Sequence, residues 1–330
     1  MFARKTLFMY MAIVSGLATL LFAFSPRAGY AAAYPVKPIE IICPYSAGGG
    51  QDIWARITIK YMMQYMPKGS RVVVNNITAG GGIAGATAIA SAKPDGYQLG
   101  AIVPFQLTDQ FINKGTPYTE KSFYPLGFGA SDGNFLIANP KFGFKDARDL
   151  IAYAKANPGK LNFGVGGAYN SHDFFRWKIE LATGIKVNRM PFNGGAPTLA
   201  AVAGGHCDVA SVSISEALAA MKEGKVVALA TSEGERTPLA PDVPTMKELG
   251  IDVVHAQWRC ITSPVNTPQE IKNLIINVLA KTFSNPEWAA ELKNAGFNPV
   301  NITGAAALDF YNKDFAEYRD LVQKLGITAK

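Results

Sequence analysis

From position 34 onward, short β-branched runs alternate with helical stripes, each pair joined by a glycine-rich or small polar turn. That alternation predicts parallel sheets with helices on both faces. The run 39–43 reads as a buried strand, 44–50 as a turn, and 52–65 as a helix carrying Ile53, Ile57 and Tyr61 on one stripe. The unit repeats with a strand over 71–75, a turn over 76–82, a small-residue helix over 83–92 and a strand over 97–103. A second series starts near Pro140, with helices over 146–156, 172–182, 197–203 and 215–222 and strands over 161–165, 186–190, 208–212 and 226–231. The segment 264–330 reads as mainly helical, with Ile271, Leu274, Ile275 and Leu279 on one stripe, and is expected to fold back onto the first series.

Residues 1–33 follow a different pattern and contain no acid. Arg4 and Lys5 precede the apolar stretch 7–24, and Ala31-Ala32-Ala33 supplies small residues for cleavage. This is the order of a secretory signal peptide, removed after Ala33. An uncleaved membrane anchor is the rival reading, weakened by Ser15, Gly16 and Thr19. The hydrophobic share of 48% excludes a disordered chain. The formal charge of +7 suggests nucleic acid, but without residues 1–33 it falls to 29 bases against 25 acids, and that case dissolves. Cys43, Cys207 and Cys260 are not spaced for metal or redox chemistry and are expected to be plain buried residues.

In open α/β sheets, ligands bind beyond the carboxyl ends of the strands. The first such turn, Tyr45-Ser46-Ala47-Gly48-Gly49-Gly50-Gln51-Asp52, lets backbone amides approach an anion at a helix N-terminus. Its bland reading is a tight turn with Asp52 as N-cap. It lacks the endings of a phosphate-binding P-loop or a dinucleotide site, and Pro44-Tyr45 breaks the nucleophile-elbow pattern. The second series offers Gly166-Gly167-Ala168-Tyr169-Asn170-Ser171-His172 and Phe192-Asn193-Gly194-Gly195-Ala196. Neither holds Lys or Arg, so recognition is expected to rest on neutral donors and helix dipoles. Of the three histidines, His172 has the best claim to a site role, and His206-Cys207-Asp208 is a poor metal site because strand neighbours point to opposite faces.

These motifs, in this order, resemble the TctC or Bug family, the extracytoplasmic receptors of tripartite tricarboxylate transporters. The resemblance rests on 41–49 with Asp52 and Ala55-Arg56, on Asn76 with Ala79-Gly80-Gly81, and on Pro94-Asp95-Gly96-Tyr97. It continues through 192–197 with Gly204-Gly205 and Asp208, and through Pro241-Asp242-Val243-Pro244-Thr245. It implies an α/β, two-domain periplasmic-binding-protein fold of the Venus-flytrap type II, with two crossovers. The expected first domain is 34–136 plus 256–330, and the second 137–255.

The resemblance also implies a monomeric, non-catalytic receptor in the periplasm, without cofactor or metal and without nucleic acid. It would capture a small carboxylate, di-, tri- or aromatic, and deliver it to membrane permease subunits. A sensor feeding a two-component kinase, or a periplasmic enzyme on a carboxylate, are the alternatives. Carried onto this chain, the ligand residues are Tyr45, Ser46, Ala47, Gly48, Gly49, Gln51 and Asp52 on one side. Gly167, Ala168, Tyr169, Asn170, Ser171 and His172 stand opposite, with Asn193, Gly194 and Asp208. Ala168-Tyr169 departs from the small residues usual in the family, and Cys260 falls where glycine is common.

Overall fold

The computed structural model describes residues 34–167, 170–192 and 194–327. The signal peptide expected over 1–33, and the site candidates Ala168, Tyr169 and Asn193, lie outside the described residues. The chain divides into Met1–Val36 and Lys37–Lys330, and the second unit is described below.

That unit begins with β1 (Ile39–Cys43), α1 (Gly50–Met62), β2 (Val72–Asn76), α2 (Ile83–Ala90), β3 (Gln98–Ile102) and α3 (Phe105–Ile112). β1 pairs in parallel with β2 and β3, as a crossover through helices requires. A long strand, β4 (Phe123–Ala138), then leads to α4 (Ala147–Ala156), β5 (Asn162–Val165), α5 (Ser171–Thr183), β6 (Asn188–Pro191) and α6 (Gly195–Ala203). β7 (Val209–Ser213), α7 (Ile214–Lys222) and β8 (Val227–Thr231) follow. The chain ends with β9 (Ala256–Pro264), α8 (Gln269–Phe283), α9 (Pro286–Asn294), β10 (Asn298–Thr303) and α10 (Ala305–Lys324).

The strands run β2-β1-β3-β9-β4-β7-β5-β6, with β8 and β10 also on β4. β4 thereby serves two groups of strands. Its first part, to Gly133, pairs antiparallel with β9, and from Asn134 it pairs with β7 and β8. The expected parallel pairing is found within β1–β3 and within β5–β7, and antiparallel pairs on β4 join the two groups. β4, β8, β9 and β10 pair antiparallel, and β4 is the strand that pairs in both groups. The segment after Pro264 supplies β10 as well as helices, and β10 pairs with β4 at Gly127–Ser131.

β4 and β9 had no counterpart in the sequence pattern. β4 contains Pro125, Gly127, Gly129 and Gly133, residue types that weaken a strand interior, and absorbs them with two register shifts against β9. Gly127 and Gly129 make room for α8: a Cβ at either would meet the Phe283 ring at 3.0 and 2.5 Å.

Separate apolar cores back each group. Phe128, Trp258, Cys260 and Tyr311 belong to one, and Leu136, Phe163, Phe175 and Val209 to another. All three cysteines are free and buried, and burial pushes the thiols of Cys43 and Cys207 up to about 11.

Candidate functional site

The β1–α1 and β3–α3 turns on one side, and the β5–α5, β6–α6 and β7–α7 turns on the other, enclose a cavity of about 340 Å³. All five lie at carboxyl ends of strands, where helix N-termini gather.

Eight of the expected residues line this cavity: Tyr45, Ser46, Gly49, Gln51, Asn170, Ser171, His172 and Gly194. Gly49 is the N-cap of α1, so Asp52 does not cap it and stands in its first turn. There its carboxylate accepts from Gly48 N–H at 2.9 Å, Asn76 Nδ2 at 2.9 Å and Arg56 Nε at 2.8 Å. Burial raises the Asp52 pKa, but these bonds outweigh it and hold the carboxyl below its usual range. Asp52 is therefore a brace of the loop and lies outside the cavity lining. Ala47 and Gly48 are exposed and, like Gly167, outside the lining. Asp208 lies just before the start of β7, away from the strand's carboxyl end. It accepts the Asn162 N–H at 2.9 Å and lies 3.8 Å from Lys141 Nζ.

The cavity offers amides on both walls. The first N–H groups of a helix lack intrahelical acceptors. Gly49 N–H is taken by Ser46 O at 3.1 Å, whereas those of Gly50 and Gln51 have no acceptor among the described residues. Asn170 caps α5 by accepting Asp173 N–H, and the amides of Ser171 and His172 are likewise without acceptors among the described residues.

Ser171 Oγ is 2.8 Å from His255 Nε2, and His172 Nε2 is 3.4 Å from Ser213 Oγ. Burial lowers the pKa of both histidines, that of His255 strongly, so both rings stay neutral near pH 7. A Cβ at Gly166 would stand 2.5 Å from His172 Nδ1, so only glycine there leaves space for the ring.

Two charged residues correct the expectation of a pocket lined by neutral donors alone. Arg259 and Glu216 both line it. Strand alternation puts Trp258 and Cys260 in the core and turns Gln257 and Arg259 to the cavity. Arg259 is buried; its Nη1 donates to Gln51 Oε1 at 2.7 Å and its Nη2 to Asp132 Oδ2 at 2.8 Å. Its Nε is buried with no acceptor among the described residues. Gln257 Nε2 also donates to Asp132, at 3.2 Å, and the guanidinium stacks 4.8 Å from the Phe297 ring centre. A Cβ at Gly50 would come within 3.1 Å of Arg259 Nη2, so the glycine turn admits the guanidinium beside the α1 N-terminus. The available signal was a single basic residue inside an apolar, β-branched run, Trp258-Arg259-Cys260-Ile261.

Two groups of strands, a shared crossing strand and a cavity walled by helix N-termini from both groups form the architecture of a two-domain solute-binding protein. The sequence profile described as "Tripartite tricarboxylate transporter family receptor" matches residues 58–327, and the chain belongs to that family. Its members are solute receptors and not enzymes. The chain is 29% identical over 329 residues to a protein of Cupriavidus necator, "UPF0065 protein in gbd 5'region", covering 96% of this chain and 95% of that one. A solved TctC solute-binding protein from Polaromonas is 28% identical, with a TM-score of 0.72 over 88% of this chain and 99% of that one. An R. palustris protein solved with adipate has the same fold, with a TM-score of 0.80 at 22% identity over 90% of this chain and 100% of that one.

Proposed function

We propose that this chain captures a small carboxylate between its two domains and hands it to the membrane subunits of a tripartite tricarboxylate-type transporter. The observation that carries the ligand class is the convergence of free N–H groups from the α1 and α5 N-termini, with Arg259, on one cavity. Such termini favour anions, each by ~0.3–1 kcal/mol and up to ~2 kcal/mol where partly buried. A planar guanidinium suits a carboxylate. The adipate in the R. palustris protein is of the same chemical class.

On this reading the closing lobes are 34–136 with 256–330, and 137–255. Closure follows because only a ligand touching both walls binds the closed form better than the open one. The leader 1–33 directs the chain to the periplasm and is removed. The site comprises Tyr45, Ser46, Gly49, Gln51, Asn170, Ser171, His172 and Gly194, together with Arg259.

A thermal-shift screen of residues 34–330 against mono-, di- and tricarboxylates, with phosphates and sugars as controls, tests the ligand class. A ligand at 100 times its Kd adds ~2.7 kcal/mol and raises Tm by several degrees. Shifts confined to carboxylates support the reading; a sugar or phosphate hit beside a flat carboxylate panel overturns it. Loss of carboxylate uptake in cells lacking this protein, restored by the wild-type chain, tests the transport role.

A further inference from the structure

Five helix N-termini reach the cavity, and that of α7 carries an acid of the protein's own on the lining. Glu216 sits in the first turn of α7, where Oε2 accepts the Ser213 N–H at 3.1 Å, as in a capping box. That bond aims the carboxyl group back toward the start of the helix. There it lies against Gly195, the first residue of α6: a Cβ on Gly195 would stand 1.9 Å from Oε2 and 2.3 Å from Oε1. Glycine at 195 is what lets the acid in. Gly194, the N-cap of α6, makes no side-chain cap, and Pro197 has no N–H, so the acid occupies the field that a bound anion would otherwise take. Capping uses only Oε2. Oε1 takes no hydrogen bond from the described residues, and the side chain lines the cavity.

The α1 and α5 N-termini have no such internal acid at the cavity, and α1 has Arg259 beside it. The cavity thus carries its charges on opposite walls: the guanidinium with α1 on one, and the acid with α6 and α7 on the other.

We propose that Glu216 is a selectivity residue of this pocket, favouring a carboxylate whose far end carries a hydrogen-bond donor or a positive charge and rejecting a second carboxylate. This rests on the carboxylate-receptor reading and narrows it. A ligand carboxylate placed against α1 and Arg259 points its other end to the opposite wall, where Glu216 stands. There an amide or ammonium group donates to Oε1, whereas a second carboxylate meets a like charge in a desolvated site.

The test is calorimetric titration of matched ligand sets. On four-carbon, six-carbon and benzene skeletons, each set holds the plain monocarboxylate, the dicarboxylate, the dicarboxylate's monoamide and the amine-ended acid. For the wild-type protein, the amide- or amine-ended member of the skeleton that fits binds at least about tenfold tighter than its dicarboxylate. Glu216→Gln keeps an acceptor for Ser213 N–H, since Gln also serves a capping box. It should bring that ratio below about threefold while leaving the plain monocarboxylate within about twofold of wild type. Wild-type protein binding the dicarboxylate as tightly as its amide overturns the assignment without any variant, as does an unchanged ratio in Glu216→Gln. In both cases the carboxylate-receptor reading stands. Silence across all sets, plain monocarboxylates included, removes that reading and this one together.

Discussion

The two walls of the cavity are built differently. On the α1 wall the ligand-facing amides are backed by a buried ion pair: Arg259 bridges Gln51 and Asp132, and Gln257 adds a second bond to Asp132. On the opposite wall the donors are helix amides, backed by the neutral pairs Ser171–His255 and His172–Ser213, with Glu216 as its only acid on the cavity among the described residues. Leaving a buried charge without its partner costs ~3–5 kcal/mol, more than the ~1–3 kcal/mol for a neutral group. The first wall therefore couples binding to stability more strongly than the second.

The largest expected effect breaks the first wall. Arg259→Met leaves Asp132 buried without its ion-pair partner and should destabilise the protein by ~3–5 kcal/mol in urea unfolding. It should also weaken carboxylate binding by about a hundredfold, consistent with losing a charge-assisted contact worth ~1.5–3 kcal/mol. The double variant Arg259→Met with Asp132→Asn should recover most of the stability and none of the affinity. Recovery of both would assign Arg259 to the fold alone.

Next comes the second wall. Ser171 is the first residue of α5, a position where proline fits, and Asn170 before it is extended, as a residue preceding proline prefers. Ser171→Pro thus deletes a donor without breaking the helix and should weaken binding about tenfold to thirtyfold. Ser171→Ala, which loses the hydroxyl's bonds to His255 and Asn134 but keeps the N–H, separates the hydroxyl from the amide. Ser46→Ala keeps its backbone N–H and should cost less than about threefold. Equal losses for Ser171→Pro and Ser46→Ala in the same titration would contradict recognition through amides.

A third prediction concerns the place where the walls join. Glu233 accepts the Gly133 N–H at 3.1 Å, where β4 changes partners, and is also bonded to Asn298. Burial pushes its carboxyl up to about 7, from an ordinary 4.5. A folded-state pKa above the unfolded one means that this group's stabilisation is complete below about 4.5 and lost as pH rises through about 7. Glu233→Gln keeps the acceptor and removes the titration. It should match wild type near pH 4.5 and exceed it by ~1–3 kcal/mol at pH 8, with affinity unchanged. Urea midpoints across that range check the sign.

The legible parts of this protein are those written locally. The β1–α1 and β5–α5 turns announce themselves because glycine and capping chemistry are confined to a few neighbouring residues, and eight expected site residues duly meet at one cavity. Asp52 misled because an acid at a helix start reads as a ligand or a cap, while its actual partners, Gly48, Asn76 and Arg56, pull it behind the loop. Arg259 and Glu216 were hidden for another reason. Arg259 reaches Gln51 only through the pairing of β9 with β3 and β4, a long-range fact absent from any local pattern. Glu216 reads as a capping residue until Gly195, twenty-one positions earlier, is seen to lie against it. β4 left no strand pattern because glycines interrupt it, and two of them, Gly127 and Gly129, admit Phe283.

The central claim is that one carboxylate is held by both walls at once. A crystal structure of residues 34–330 with the tightest carboxylate from the screen tests it most directly. The account predicts carboxylate oxygens within hydrogen-bond distance of Gly50 or Gln51 N–H on one wall and of Ser171 or His172 N–H on the other. A ligand held by one wall alone, or outside the cavity, would contradict it.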